Sequence, residues 1–381
     1  MYERMHVCQI EGYVPGLQPD SGAIKLNTNE NPFPPSPRVM THLSNILPLT
    51  LQRYPDPSAM AFRLVAARAH GVAPDQVIAT NGGDELLRLA LATFVDPGRA
   101  VGIVSPGYGF YSLLAGLHPA PVCDVPLTEA WQLPEETASR WNAAGAQLAF
   151  LTNPHAPCGT LFPIATIERL AASFKGVLVV DEAYVDFVDP ALGYDATTLI
   201  SRHQNVLLLR TLSKGYSLAG LRLGYGLADV RLIQPILHKT KDTYNVDAMA
   251  QILGAAGLDD RLHASGTWEA VRKERETLSR NLQDLNLAVG PSQANFVLVS
   301  LALFDGSCSA RQVVTKLMER NIYVRWFDTD RLRDKLRVTI GTPQENAALI
   351  SALRTILGRP DGKIGYGRAL NVHTCKSYLS V

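Results

Sequence analysis

The chain has 381 residues, more than the roughly 100–200 that usually share one hydrophobic core, so two domains are expected. Hydrophobic residues make up 46% and charged residues 19%, a composition that excludes an intrinsically disordered protein. The 36 Lys and Arg nearly balance the 35 Asp and Glu, and the net charge of +1 argues against nucleic acid or a membrane surface as a partner.

The sequence carries no signal for a membrane or an extracellular location. No apolar run approaches the roughly 18–20 residues of a membrane span, and the first residues lack the apolar core of a secretion signal. The five cysteines are scattered without a Cys-x-x-Cys pair, so neither a disulfide framework nor a structural zinc site is expected. These features predict a cytoplasmic protein.

Residues 1–39 are predicted to form an extended arm that belongs with a smaller domain. The stretch Asn31–Pro37 holds too many prolines for a helix or a central strand. We expect this arm to lie against the C-terminal part of the chain.

Residues 40–240 form the predicted large domain, in which short apolar runs alternate with helical patterns such as Glu85–Phe94 and Ile164–Phe174. The predicted strands are Gln76–Thr80, Ala100–Ser105, Gln147–Thr152, Gly176–Asp181, Asn205–Arg210 and Leu223–Leu227. Apolar strands separated by helices indicate an α/β fold with a mainly parallel sheet covered by helices on both faces.

Residues 241–358 form a predicted smaller α+β domain, and residues 359–381 a mobile tail. The predicted helices of the smaller domain are about Thr267–Leu285, Ala310–Arg320 and Pro343–Leu357. Its predicted strands are Asn295–Val299, Ile322–Trp326 and Lys335–Ile340.

Ligands bind at the carboxyl edge of an open parallel sheet, so residues at strand ends are the candidates for a site. The turn Asn81-Gly82-Gly83-Asp84-Glu85 leads into a helix, where free N–H groups can bind an anion; a plain turn capped by Asp84 explains it equally well. It lacks the Gly-x-Gly-x-x-Gly dinucleotide motif. The sequence also lacks a P-loop and paired metal-binding histidines, so no metal site is expected.

The next two strands end in charged groups that are costly to bury. Asp181 directly follows Leu178–Val180, and it is either a helix cap or the partner of a cation. Most lysines are solvated, but Lys214 follows a buried strand, where desolvation favours imine chemistry. Arg222 lies beside an apolar strand and needs an anionic partner.

The loop Thr152–Thr160, with two prolines and a glycine, reads by itself as an ordinary turn. Taken together, these strand ends offer an anion site, an acid, an amide, a tyrosine and a lysine. Pyridoxal phosphate needs those kinds of partner for its phosphate, pyridine nitrogen, phenolic oxygen and aldehyde.

Several segments resemble the fold-type-I, pyridoxal-phosphate-dependent aminotransferases. They are Asn153-Pro154 with Gly159, Asp181–Tyr184, Ser213–Arg222 and Leu336–Gly341. Three further segments resemble, more narrowly, the histidinol-phosphate aminotransferases: Leu26–Pro32, Arg53–Asp56 and Asn81–Glu85. The resemblance covers roughly residues 10–358 and implies the same fold and cofactor.

The resemblance implies that Lys214 forms a Schiff base with the cofactor, that Asp181 pairs with its ring nitrogen, and that Asn153 and Tyr184 bond its phenolic oxygen. Lys214, Asp181 and Tyr184 are the predicted catalytic residues. The ring and phosphate contacts are assigned to Tyr108, Gly83, Asp84, Thr211, Ser213 and Arg222, with Tyr54 from a neighbouring subunit of a homodimer.

Arg325, Arg337 and Asn29 are the predicted substrate-binding residues. Either arginine could instead serve a surface salt bridge, but arginine forks suit both phosphate and carboxylate groups. The sequence departs from the family pattern at His155 and Cys158, which affects substrate positioning more than cofactor binding.

The resemblance implies ping-pong transfer of an amino group between histidinol phosphate and 2-oxoglutarate, as in histidine biosynthesis. The alternatives are a threonine-phosphate decarboxylase, an aromatic amino-acid aminotransferase, and a regulator that binds the cofactor without catalysis. The expected partners are a small amine and a 2-oxo acid.

Overall fold

A computed structural model describes residues 2–301 and 308–358. Within them the strands are β1 (Ile24–Leu26), β2 (Val77–Thr80), β3 (Val101–Ser105), β4 (Val122–Pro126), β5 (Leu148–Thr152), β6 (Val177–Asp181), β7 (Val206–Thr211), β8 (Gly224–Ala228), β9 (Ala288–Val289), β10 (Phe296–Ser300), β11 (Ile322–Val324) and β12 (Lys335–Thr339).

The α-helices are α1 (Pro37–Ser44), α2 (Pro48–Gln52), α3 (Met60–His70), α4 (Gly83–Phe94), α5 (Phe110–Leu117), α6 (Thr137–Ala143), α7 (Ile164–Ser173), α8 (Thr197–Arg202), α9 (Val230–Pro235), α10 (Ala248–Asp259), α11 (Arg261–Asp284), α12 (Ala310–Met318) and α13 (Pro343–Ile356).

A seven-stranded sheet forms the centre of the fold, in the order β2-β8-β7-β6-β5-β3-β4. Only β8 runs against its neighbours, since it pairs antiparallel with both β2 and β7. Successive residues of the central strands point to opposite faces: in β6, Val180 lies in the larger apolar cluster and Val179 in a second cluster on the other side. The sheet is therefore buried on both faces, as a mainly parallel sheet requires.

Two smaller sheets lie outside the central one. An antiparallel sheet has the order β12-β10-β9, and β1 pairs in parallel with β11, with Ile24 opposite Ile322. A bridge between Arg325 and Arg337 links the end of β11 to β12. The N-terminal segment is thus joined to the C-terminal part of the chain by backbone hydrogen bonds.

The α/β class and all six strands predicted for the large domain are confirmed, each within one residue of its expected bounds. The sequence pattern missed β4, an edge strand whose residues are mostly exposed and therefore lack an apolar run. The predicted start of the long helix at Thr267 was wrong. Helix α11 begins at Arg261, where Asp260 accepts a hydrogen bond from the His263 N–H.

Helix α10, just beyond the predicted domain boundary at residue 240, packs against α1 and α3. The predicted tail, residues 359–381, lies outside the described residues. Among the described helices, none combines the length and the apolar character that a membrane crossing needs.

Candidate active site

The carboxyl ends of the central strands open into a cavity of about 930 Å³. The strand register aligns this edge, because Thr152 of β5 lies opposite Asp181 of β6, and Thr211 of β7 opposite Gly224 of β8. Residues 10–14, Gly16 and residues near β11 and β12 also line it. The cavity therefore lies between the large sheet and the N- and C-terminal segments.

One end of the cavity is built to receive an anion. Gly82 has φ 75° and is followed by α4, whose first N–H groups have no partner within the helix. A Cβ at Gly82 would lie 2.6 Å from Arg222 Nη2, so glycine lets the guanidinium approach this turn. Ser213 Oγ accepts a hydrogen bond from Thr211 at 2.9 Å and lies 3.5 Å from Arg222 Nη1.

Lys214 supplies an amine to the middle of the cavity. Its Nζ donates a hydrogen bond of 2.7 Å to the Thr28 carbonyl of the N-terminal segment. Burial, followed by repulsion from Arg337, lowers the pKa of Lys214 to about 8. With that pKa, about a tenth of the amine is unprotonated at pH 7, far more than for an ordinary lysine, and the unprotonated form is the nucleophile.

Asp181 is only 6% exposed, and its carboxylate is held from two sides. Tyr111 donates to Oδ2 at 2.7 Å, and the Ala183 N–H donates to Oδ1 at 3.1 Å. Tyr111 also lies 2.7 Å from Thr152 Oγ1 and stacks on Phe150 at 4.7 Å. Burial raises the pKa of Asp181 to about 6, so a cation facing this carboxylate would be strongly favoured.

Two tyrosines, Tyr184 and Tyr108, line the same cavity as Lys214 and Asp181. Tyr184 accepts a hydrogen bond of 3.1 Å from Asn29 Nδ2. Tyr108 follows β3, and the ring of Tyr13 meets it edge-on at 5.6 Å. These aromatic groups form walls suited to a flat ring.

Arg337 and Arg325 line the cavity near the N-terminal segment. Arg337 Nη2 donates to the Asn27 carbonyl at 3.1 Å, whereas its buried Nε has no partner within the described residues. Arg325 donates to the carbonyls of Val14 and Pro15 at 3.0 and 3.2 Å. Arg337 thus keeps donors for an anionic ligand, while Arg325 holds the segment that covers the cavity.

The structure brings most of the predicted site residues together around this cavity. Those that line it are Asn29, Gly83, Asp84, Tyr108, Asp181, Tyr184, Thr211, Ser213, Lys214, Arg222, Arg325 and Arg337.

Asn153 does not line the cavity, and its predicted role needs correction. Its Nδ2 donates to the Phe162 carbonyl and to the Tyr194 hydroxyl, and its Oδ1 accepts from the Phe162 N–H. The side chain is completely buried and committed to these bonds. Ala156 and Pro157 of the same loop line the cavity instead, and their side chains offer no hydrogen-bond donor.

Tyr54 also lies outside the cavity of its own chain. Its side chain is 81% exposed and stacks on Tyr244 at 4.4 Å. A role in the site would require a second subunit, as the sequence predicted, and remains a prediction.

His155 and Cys158, the two departures from the family pattern, are buried and do not line the cavity. His155 Nδ1 lies 3.2 Å from Cys158 Sγ, and burial lowers the pKa of His155 to about 3. The imidazole is therefore neutral and packs against Phe162. Both residues shape the loop that presents Ala156 and Pro157.

The sequence reasoning missed Tyr111 and Tyr13. Tyr111 lies three residues after Tyr108, in the first turn of α5, and the two rings meet edge-on at 5.4 Å. That spacing was the available signal for Tyr111. Tyr13 belongs to a segment without any periodic pattern, so only the fold reveals its place.

Comparison with known proteins agrees with this geometry. Residues 21–353 match aminotransferase class I and II, and the chain belongs to this family of enzymes. It is 38% identical to histidinol-phosphate aminotransferase 1 of Trichormus variabilis, over 93% of this chain and 99% of that protein. It is 40% identical to the histidinol-phosphate aminotransferase of Geobacter sulfurreducens, with the same coverage.

A solved histidinol-phosphate aminotransferase from Sinorhizobium meliloti, in complex with pyridoxal-5'-phosphate, has the same fold. The TM-score is 0.81 at 25% identity, over 87% of this chain and 90% of the other. The predicted fold type I is thereby confirmed.

Proposed function

We propose that this aminotransferase binds pyridoxal phosphate on Lys214 and transfers an amino group between histidinol phosphate and 2-oxoglutarate. The observation that carries the proposal is one cavity lined by a lysine of lowered pKa, a buried carboxylate and an anion site. The similarity to histidinol-phosphate aminotransferases supports the choice of substrate.

The donor set of the cavity fits pyridoxal phosphate. The turn at Gly82 has no Cβ to block a phosphate, and Arg222, Ser213, Thr211 and the first N–H groups of α4 supply the donors. Asp181 is a buried acid whose raised pKa calls for a facing cation, such as a protonated ring nitrogen. When bound, the cofactor supplies an aldehyde that condenses with amines and a ring that withdraws electrons from the substrate Cα.

Each residue then has a defined task. Lys214 Nζ would hold the cofactor and, as a free amine, would take the proton from the substrate Cα. Asp181 keeps the ring nitrogen protonated, and Tyr111 holds the carboxylate in place. Tyr108 lines the cavity, where it would cover a bound ring and limit access of water.

Arg337 binds the anionic group of each substrate in turn, through the guanidinium that it presents to the cavity. Its guanidinium lies 5.3 Å from the ring centre of Phe296 and 5.4 Å from that of Phe327, which fix its plane. A phosphate and a 2-oxoglutarate carboxylate can use the same fork.

Replacing Arg337 with leucine should lower kcat/KM for histidinol phosphate by at least about 10²-fold, because two charge-assisted hydrogen bonds of roughly 1.5–3 kcal/mol each are lost. Turnover of unphosphorylated histidinol should fall far less, so the discrimination between the two amines collapses. Steady-state kinetics with both amines measures this ratio.

Arg331→Leu is the matched control. Arg331 donates to the carbonyls of Leu127 and Thr128 and stacks on Trp131, and it does not line the cavity. Its loss should leave the ratio unchanged. An Arg337→Leu enzyme that still prefers the phosphorylated amine by the wild-type factor would exclude Arg337 as the phosphate receptor.

The substrate assignment is tested with a panel of amines. Histidinol phosphate, phenylalanine and threonine phosphate are each supplied with and without 2-oxoglutarate. We expect the highest kcat/KM for histidinol phosphate and no reaction without the keto acid beyond a single turnover. Release of carbon dioxide from threonine phosphate without a keto acid would assign the decarboxylase, and a preference for phenylalanine the aromatic aminotransferase.

We further propose a cytoplasmic homodimer. Several apolar side chains between residues 40 and 64 are exposed, including Leu47 at 65% and Leu51 at 70%, which is typical of a surface that a partner covers. Tyr54 belongs to this surface and would reach the cofactor phosphate of the second subunit. The scattered cysteines, without a Cys-x-x-Cys pair, are typical of a protein of a reducing compartment.

A further inference from the structure

We infer that Asn29, held by Thr339, directs the hydroxyl proton of Tyr184 into the cavity, and that Asn29 is a positioning residue and not a substrate-binding one. This inference rests on the proposed binding of pyridoxal phosphate, since the phenolic oxygen of that cofactor is the acceptor it requires.

The backbone around Asn29 is fixed at three points. Its φ of 57° lies in the left-handed region, which asparagine tolerates better than most residues. Its N–H donates to Thr339 Oγ1 at 3.0 Å, and its carbonyl accepts from Asn295 Nδ2 at 2.9 Å. With 1% exposure, Asn29 is clamped between the N-terminal segment and β12.

The same threonine sets the orientation of the Asn29 amide. Thr339 Oγ1 accepts from the Asn29 N–H, so its single proton is available for Asn29 Oδ1, which lies at 3.0 Å. In the structure the Thr339 hydroxyl donates to the amide oxygen of Asn29. The Nδ2 group must then face Tyr184, at 3.1 Å.

The Tyr184 hydroxyl consequently accepts from Asn29, and its own proton must go elsewhere. The ring is held edge-on against Phe296 at 5.0 Å, and Tyr184 lines the cavity. Burial raises the pKa of the Tyr184 hydroxyl, so the group keeps its proton at neutral pH. A phenolic oxygen in the cavity is the acceptor that this arrangement would serve.

The loop after β5 does not share with Tyr184 the role of donating a hydrogen bond to the phenolic oxygen. Asn153 is fully engaged with Phe162 and Tyr194, and the loop presents only Ala156 and Pro157 to the cavity. The charged and titratable groups that act on Tyr184 are Arg337, Asp181 and Tyr13. The orientation of the Tyr184 hydroxyl therefore matters for the phenolic oxygen.

The test is the pH midpoint of the visible absorbance band of the cofactor-loaded protein. A hydrogen bond donated to the phenolic oxygen stabilises the deprotonated form of the bound cofactor. Losing that donor therefore raises the pH at which half of the bound cofactor has lost its proton. Tyr184→Phe should raise it by about 1 to 2 pH units. Asn29→Ala should raise it by roughly half as much, and Thr339→Val should shift it less, in the same direction.

Thr137→Val is the matched control for loss of a buried hydroxyl. Thr137 is 1% exposed, bonds to the Pro134 carbonyl and lies outside the cavity, so the midpoint should not move.

A visible band in the wild type that shifts with Tyr184→Phe but not with Asn29→Ala or Thr339→Val overturns the inference and leaves the proposed function standing. If Asn29→Ala fails to fold, the isosteric Thr339→Val decides alone: a higher midpoint supports the inference, and an unchanged one rejects it. A wild-type protein without any visible band after loading rejects the proposed function itself.

Discussion

Replacing Lys214 with alanine is expected to abolish both the covalent attachment of the cofactor and the transfer of amino groups. Among the described residues that line the cavity, Lys214 is the only lysine, so no neighbouring amine can take its place. Loss of the attaching amine and of the group that moves the Cα proton should reduce turnover by at least about 10³-fold. Absorbance spectra and steady-state rates of the purified variant measure both effects.

The control is Lys175→Ala, since Lys175 is exposed and lies two residues after α7. That variant should keep the visible band and the wild-type rate. Added small amines should restore part of the activity of Lys214→Ala, because they can replace the missing base. Sustained transamination by Lys214→Ala at the wild-type rate would show that another group performs these steps.

The second large effect is expected from Asp181→Ala. Removing one member of a buried ion pair typically costs about 3–5 kcal/mol, which corresponds to roughly 10²–10³-fold or more in affinity or rate. The cofactor should bind more weakly, because its ring nitrogen loses the facing carboxylate, and kcat should fall as well. Equilibrium binding of pyridoxal phosphate and single-turnover rates separate the two.

Tyr111→Phe provides a graded comparison, because it leaves the Asp181 carboxylate in place but removes the 2.7 Å hydrogen bond that holds it. We expect a loss of roughly 10-fold, corresponding to a hydrogen bond to a charged group of about 1.5 kcal/mol. Equal effects of Asp181→Ala and Tyr111→Phe on cofactor binding would contradict the assignment of Tyr111 as a positioning residue.

The sequence was informative where a strand pattern ends in an unexpected polar group. Asp181 and Lys214 each follow a run of buried apolar residues, and the parallel register brings such ends to one edge of a sheet. The anion site was predictable for the same reason, since Gly82 and Gly83 separate a strand from a helix. The resemblance to a family predicted the roles of these residues, and the strand pattern predicted the sheet edge at which they lie.

The hydrogen-bond partners of individual side chains could not be predicted from the sequence. Asn153 looked like a cofactor ligand, but its amide is used up by Phe162 and Tyr194, a choice that depends on how the loop after β5 turns back. Asn29 was assigned to the substrate, yet its amide faces Tyr184, because β12 places Thr339 beside it from more than 300 residues away. Contacts between distant segments have no periodic signal in one chain.

The most direct test of the account is to reduce the cofactor-loaded protein with borohydride and to locate the attached pyridoxyl group by peptide mass spectrometry. One modified peptide is expected, the one that contains Lys214, and the label should be lost in Lys214→Ala. A label on a different lysine, or no label on a protein that still transaminates, would contradict it.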